Sequence, residues 1–214
     1  QRDGWNVVTP KEQGCCGALY AHGGQLEKAR ECARQNIAAF EGKSLDAIII
    51  NAAGCGSTLV EYGELLKDDP DWAGRARAFS AKVKDLVTWL DESGVQRTCD
   101  QSKVTYHDAC HLCHAQGISS EPRKLVQARA GGDFVELAES DLCCGSAGSY
   151  NLTEPEMAER LQARKVKNII DTGAEVVVTT NPGCLLQIQS GLKKAGADHV
   201  RAVHIADYLN DEQT

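Results

Sequence analysis

The sequence has no long apolar run, no excess of basic residues and no low-complexity tract. None of its apolar stretches approaches the roughly 20 residues of a membrane-spanning helix. The formal net charge of −7 argues against nucleic acid or anionic lipid as a partner. The 214 residues, 42% of them hydrophobic, can bury a core without disulfide bonds to stabilise it. The chain shows no signal peptide, and because it begins at Gln1 rather than Met, we expect a fragment of a longer protein.

Cysteine is the residue type in excess. The chain has ten cysteines, a density well below that of a disulfide scaffold. Four of them form two adjacent pairs, each followed by a glycine, in segments 15–17 and 143–145. Several others adjoin loop glycines instead of being scattered over apolar faces. We therefore interpret these cysteines as metal ligands or redox groups rather than as disulfides.

The two CCG segments belong to an internal repeat. One copy runs from Cys15 to Cys55 and the other from Cys143 to Cys184. In each copy a polar, glycine-containing loop leads into a helix, which spans about 25–40 in the first. A short β-branched strand follows, then a tight turn at the last cysteine and a new helix. The strands are expected at 47–50 and 176–179, and runs of this kind suit buried parallel strands.

The first helix of the second copy has the clearer sequence signals. Thr153 and Glu156 form a capping-box pattern, with Pro155 in the first turn. Five residues then predict an apolar stripe: Met157, Leu161, Val166, Ile169 and Ile170.

The predicted fold class is α/β, with two pseudo-repeated parallel-sheet βαβ modules, that is, tandem CCG domains. We expect the first module, truncated at its N-terminus, in residues 1–95 and the second in residues 96–214. Residues 66–89 predict an amphipathic helix that packs the modules together, and residues 94–103 predict a linker.

Strand ends bring the cysteines of the second copy together. Residues 103–106 predict a strand just before Cys110, and Cys184 follows another strand at a helix N-terminus. Open α/β sheets bind ligands at this edge, and helix N-termini favour anionic thiolates. Four thiolates suit a 4Fe–4S cluster or a structural zinc ion, and the second copy supplies Cys110, Cys143, Cys144 and Cys184.

Adjacent cysteines favour the cluster over the single ion. Neighbouring residues on a bent loop can bind different metal atoms of one cluster, whereas a tetrahedral ion accommodates directly adjacent ligands less easily. The first copy supplies three ligands of the same kind, Cys15, Cys16 and Cys55, and a fourth would precede residue 1.

Other cysteines and histidines receive simpler interpretations. Segment 110–114 matches the CxxCH pattern of c-type haem attachment, but the repeat already accounts for Cys110. We interpret Cys113 as an unligated thiol, and Cys32 and Cys99 as structural or incidental.

Three histidines crowd the same region: His107, His111 and His114. They could form a zinc site. We favour the alternative, in which they orient the cluster loop or donate hydrogen bonds to sulfur.

The motifs together resemble the tandem CCG domains of heterodisulfide reductase B subunits, lactate-utilisation proteins and glycolate oxidase iron–sulfur subunits. The last family is favoured by QGCCGALYAHGG, NAAGCGSTLVEYGELL, YHDACHLCHAQGI, DLCCGSAGSYNLTEPEMAERL and NPGCLLQIQSGL. The resemblance covers nearly all of this chain but only the C-terminal half of the family, which also carries a ferredoxin-like domain.

The resemblance implies an electron-transfer subunit of a flavin-dependent glycolate dehydrogenase, which oxidises glycolate to glyoxylate. FAD would lie on partner subunits, and electrons would leave towards the membrane quinone pool. This chain would bind an iron–sulfur cluster and would not itself be catalytic. We expect it in the cytoplasm, or peripheral on the inner face of the cell membrane.

The fullest CCG motif ends in CxxC, and in heterodisulfide reductases five cysteines hold the cluster. Thr58 and Gln187 occupy the last position here, so a five-thiolate site is excluded. This departure counts against a disulfide-reducing enzyme. Two alternatives stay open: a zinc-binding or metal-free docking scaffold of the same complex, and an iron–sulfur subunit of a system that oxidises lactate or another 2-hydroxy acid or that is heterodisulfide-reductase-like.

Overall fold

The computed structural model describes residues 3–95 and 101–210, which fold as two compact units. One unit holds the described residues up to Ile50 together with Gly54–Asp85. The other holds Asn51–Ala53 and the described residues from Leu86 onwards. Cys99 and part of the expected linker lie outside the described residues, and the division at residues 95 and 96 stays a prediction.

The elements alternate between helices and short strands. In chain order they are α1 (Ala18–His22), α2 (Leu26–Phe40), β1 (Ile48–Ile50), α3 (Ala53–Val60), α4 (Tyr62–Leu65), α5 (Ala73–Ser80), β2 (Val83–Asp85), α6 (Leu86–Glu92), β3 (Val104–His107), a π-helical turn (His111–Ala115), α7 (Ser120–Ala130), α8 (Tyr150–Thr153), α9 (Pro155–Asp171), β4 (Val176–Thr179), α10 (Pro182–Lys194), β5 (Arg201–His204) and α11 (Ile205–Asn210).

The first unit is built on two parallel strands. β1 pairs with β2 in a register that sets Ile48 beside Val83 and Ile50 beside Asp85. Helices α2, α4 and α5 pack on one another around a core that includes Tyr62 and Phe79, whose rings stack with their centroids 5.4 Å apart.

The second unit is built on three parallel strands in the order β3–β4–β5. All four residues of β4 are buried, because neighbours cover the central strand on both edges and both faces. The register aligns the last residues of the three strands, so that His107 lies beside Thr179 and Thr179 beside His204. Parallel strands thereby bring their carboxyl ends to a common edge.

The predicted α/β class with two pseudo-repeated parallel-sheet modules is confirmed. The repeat also extends further than expected, because β2 followed by α6 matches β5 followed by α11 in sequence and in order. The single amphipathic helix predicted over 66–89 is wrong. Two helices and β2 occupy that segment, since Val83 and Asp85 bury their side chains in a strand that pairs with β1.

The start of α9 also differs from expectation. Pro155 is the first helical residue, as predicted, but Glu154 precedes it without a side-chain capping bond, and Thr153 ends the short helix α8. The capping-box prediction is therefore wrong. The apolar stripe is only partly right, because Met157 and Ile170 are exposed.

Candidate metal centre

The carboxyl edge of the three-stranded sheet carries the candidate site of the second unit. His107 is the last residue of β3, one position beyond the strand expected from the sequence. Cys110 follows it and directly precedes a π-helical turn, an irregularity often found at functional sites. Cys184 is the third residue of α10, where the free N–H groups of the first helical turn favour a thiolate.

The CCG loop reaches this edge because its glycine packs directly on helix α9. Gly145 has φ +91°, and a Cβ atom there would lie 2.3 Å from the carbonyl oxygen of Ala158. Only glycine tolerates both the backbone conformation and the close approach. The Gly145 N–H in turn donates to Cys143 Sγ at 3.3 Å, so the loop wraps around its own first cysteine.

The first unit repeats this arrangement. Gly17 has φ +83°, and its Cβ would lie 3.2 Å from the backbone of Ala29 in α2. The Gly17 N–H donates to Cys15 Sγ at 3.4 Å. Helix packing therefore requires the glycine of each CCG segment, and the two cysteines before it are directed away from the helix backbone.

Four thiols form a continuous chain of contacts in the second unit, running in the order Cys110, Cys143, Cys144 and Cys184. Hydrogen bonds from Cys110 and Cys144 lower the pKa of Cys143, and the same bonds raise the pKa values of the two donors. A hydrogen bond from Cys144 likewise lowers the pKa of Cys184. Two of the four sulfurs thus readily become thiolates, the form that binds metal.

A histidine completes the group. The ligand atoms of His107, Cys144 and Cys184 all lie within 4.8 Å of one another, and all three residues are buried. Asn181, just before α10, directs its side-chain N–H at Cys184 Sγ over 3.5 Å. These three residues therefore combine soft sulfur donors with one imidazole away from bulk water, whereas Cys110 and Cys143 are partly exposed.

Two charged side chains hold the backbone around the site. Arg123 of α7 binds both carboxylate oxygens of the buried Asp108, at 3.0 and 2.7 Å, and so fixes the segment between His107 and Cys110. Lys165 of α9 is fully buried and donates to the backbone carbonyls of Glu139 and Ser140, which precede the CCG loop. Burial lowers the pKa of this lysine.

The first unit brings its predicted residues together less completely. Cys16 and Cys55 are in contact, and a hydrogen bond from Cys16 lowers the pKa of Cys55 to about 7. Cys15 adjoins Cys16 but is exposed. Cys32, interpreted as structural, lies beside this loop, since its Cβ is 3.1 Å from the Cβ position of Gly17.

Two neutral polar side chains anchor the first CCG loop. Asn36 of α2 donates to the carbonyl of Cys15 at 2.9 Å and accepts from Gly14 N–H at 2.9 Å. The Tyr62 hydroxyl of α4 donates to the carbonyl of Cys16 at 2.8 Å. These anchors escaped the sequence analysis because an asparagine in a helix and an isolated tyrosine carry no motif.

The remaining candidates lie at the margin of the second site. Cys113 directs its thiol at the carbonyl of Cys110 over 3.8 Å, and burial raises its pKa. His111 Nδ1 lies 3.6 Å from Cys110 Sγ, whereas His114 is exposed. Thr58 is buried and Gln187 partly buried, in the helices that contain the last cysteine of each copy. Among the described residues every cysteine is a free thiol.

Comparison with known families agrees with this geometry. A family model described as CCG, "Cysteine-rich domain", matches residues 1–60 and 104–189. The chain belongs to the CCG cysteine-rich domain family. The matched ranges include all seven cysteines predicted as ligands, four of which meet in the second unit.

Relatives with curated names bear out the resemblance read from the motifs. The chain is 46% identical, over 98% of its length, to the "Probable glycolate oxidase iron-sulfur subunit" of Bacillus subtilis, and 37% identical, over 94%, to the "Glycolate oxidase iron-sulfur subunit" of Escherichia coli. It is 33% identical, over 98%, to "Lactate utilization protein A" of Oceanobacillus iheyensis.

The relatives differ in how much of them the chain matches. It spans 48% and 49% of the two glycolate oxidase subunits, but 86% of the lactate utilization protein. Within residues 3–95 and 101–210, no helix combines the length and apolar character that crossing a membrane requires.

Proposed function

We propose that this chain is the CCG portion of an iron–sulfur electron-transfer subunit in a flavin-dependent glycolate dehydrogenase complex. In this proposal the complex oxidises glycolate to glyoxylate, and FAD lies on partner subunits. The chain passes electrons from the flavin towards the quinone pool and does not itself bind the 2-hydroxy acid.

The observation that carries the proposal is the contact chain of four thiols at the carboxyl edge of the second sheet. When bound there, a 4Fe–4S cluster would accept and release single electrons. The donor set fits such a group, because each of the four thiols contacts the next and two of them have lowered pKa values. Cys110, Cys143, Cys144 and Cys184 would hold it, and buried His107 adjoins the same site.

The residues around the thiols support electron transfer rather than catalysis on a substrate. Arg123 and Lys165 make their polar contacts with protein groups of the surrounding loops, so they fix the position of the site. The resemblance to glycolate oxidase subunits supports glycolate as the substrate of the complex.

Lactate is the second candidate substrate. The chain spans 86% of a lactate utilization protein, which is a larger share than it spans of either glycolate oxidase subunit. The percentage identity points in the opposite direction, so the two substrates need a direct comparison.

The test uses the complex that co-purifies with the chain under anaerobic conditions. Glycolate and lactate are added separately, and electron paramagnetic resonance (EPR) follows reduction of the cluster, with dithionite as the chemical control. A signal produced by glycolate supports the proposal, and one produced by lactate alone favours the second candidate. Zinc without iron, or no EPR signal even with dithionite, would assign the CCG units to docking instead of electron transfer.

A further inference from the structure

His107 is buried without the hydrogen bonds that a buried histidine normally has. It is 1% exposed, no nitrogen or oxygen atom of the described residues bonds either ring nitrogen, and its polar contact is with the sulfur of Cys184, whose pKa it helps to lower. A neutral imidazole has one N–H donor and one lone pair, and leaving a buried polar atom without a partner costs about 1–3 kcal/mol. The residue ends a strand whose four residues are all buried.

His204 shows how the same sheet edge treats a structural histidine. It ends β5 as His107 ends β3, and Thr179 lies between them in register. His204 Nδ1 accepts a hydrogen bond from the backbone N–H of Ala206 at 3.2 Å, which fixes its ring on its own chain and leaves its Nε2 alone without a partner among the described residues. His107 has no such backbone bond. Instead, one of its ring nitrogens and the sulfurs of Cys144 and Cys184 all lie within 4.8 Å of one another.

We propose that His107 is a direct nitrogen ligand of the metal centre in the second unit, which makes this centre a mixed cysteine–histidine site. The inference rests on the proposed function, because it assumes that the unit binds metal. A metal ion between the three donor atoms would give the imidazole lone pair a partner. A neutral imidazole binds without adding negative charge, whereas a thiolate at the same position would add one, so the reduction potential is higher with histidine there than with cysteine.

The competing role is a hydrogen bond from the ring to a thiolate, as anticipated for the histidines of this region. The two roles differ in a measurable way. A nitrogen bound to iron couples strongly to the unpaired electron of a reduced cluster, whereas a nitrogen that only donates a hydrogen bond to a bound sulfur couples weakly.

The experiment uses the chain with Cys55→Ser, so that a paramagnetic signal comes from the second unit. The protein is loaded anaerobically with iron and sulfide and studied by pulsed EPR, with and without ¹⁵N-labelled histidine. We expect a strong nitrogen coupling that changes with the label. It should disappear in His107→Cys, which conserves the number of ligands, and persist in His111→Gln and His204→Gln. The reduction potential of His107→Cys should be lower than that of the parent.

A loaded cluster without strong histidine coupling would overturn the ligand assignment and leave the proposed function intact. A coupling that persists in His107→Cys and disappears in His111→Gln would assign the ligand to His111 and overturn the proposal as well. If the second unit binds no iron, the proposed function fails, and cobalt(II) tests the ligand separately. Identical cobalt absorption bands in the parent and in His107→Cys would then overturn the assignment of His107 as a ligand.

Discussion

Gly145 lies so close to Ala158 that a Cβ atom on the glycine would come within 2.3 Å of the alanine carbonyl oxygen. This contact explains why a glycine follows the adjacent cysteines. Helix α9 fixes the backbone after Cys144, and the loop can then direct Cys143 and Cys144 towards the edge of the sheet. The equivalent contact of Gly17 with Ala29 in the first unit gives the same result.

Gly145→Ala should destabilise the chain far more than Gly196→Ala. Both glycines have positive φ, at +91° and +66°, but the space around Gly196 is open. The backbone conformation alone costs about 1–2 kcal/mol, and forcing an atom into packed surroundings adds about 1–3 kcal/mol at Gly145. Urea unfolding measures both variants. Equal losses would show that the contact with Ala158 is unimportant.

Arg123→Gln should loosen the loop that leads to Cys110. The change leaves the carboxylate of Asp108, whose side chain is 5% exposed, without its charged partner. Breaking a buried ion pair in this way costs about 3–5 kcal/mol, and here somewhat less because Arg123 is 24% exposed.

Arg164→Gln is the matched control for this variant. It removes an ion pair to Glu139 whose partners are 60% and 39% exposed, so the free energy of unfolding should change little. Unfolding and the rate of iron loss to a chelator are measured for both variants. If the Arg164→Gln variant releases iron as fast as the Arg123→Gln variant, the ion pair between Arg123 and Asp108 does not hold the site in place.

Tyr62→Phe should destabilise the first unit by about 1–3 kcal/mol, because the buried carbonyl of Cys16 loses its donor. Tyr20→Phe removes the hydroxyl of a tyrosine that is 38% exposed and should change little. Hydrogen exchange of the backbone N–H groups near Cys16 reports the local effect. Similar exchange rates in both variants would contradict the anchoring role of Tyr62.

The sequence predicted the parts of the fold that repeat or alternate strongly. The strand 176–179 was placed correctly, and the helix 25–40 to within one residue, because a continuous β-branched run and a long amphipathic period are local signals. β2 and β5 were missed. Three or four residues are too few to show a period, and their strand character comes from pairing with β1 and β4.

The site was predictable in its cysteines and not in its supporting residues. CCG recurs, so Cys143 and Cys144 stand out in one sequence. Lys165 and Arg123 do not, because a lysine or arginine in a helix is normally solvated, and only the fold shows that these two reach loop carbonyls and a buried carboxylate. His107 was noticed, but its buried position beside Cys184 required the register of β3 and β4.

The most direct test is to measure iron, acid-labile sulfide and zinc in the anaerobically purified chain, with EPR, for Cys144→Ser and Cys113→Ser. Cys144 lies in the middle of the thiol chain, whereas Cys113 contacts only its margin. We predict that Cys144→Ser loses the iron, the sulfide and the EPR signal of the second unit, and that Cys113→Ser keeps them. Equal iron and sulfide contents in the two variants, or a parent chain that carries only zinc or no metal, would contradict the iron–sulfur account.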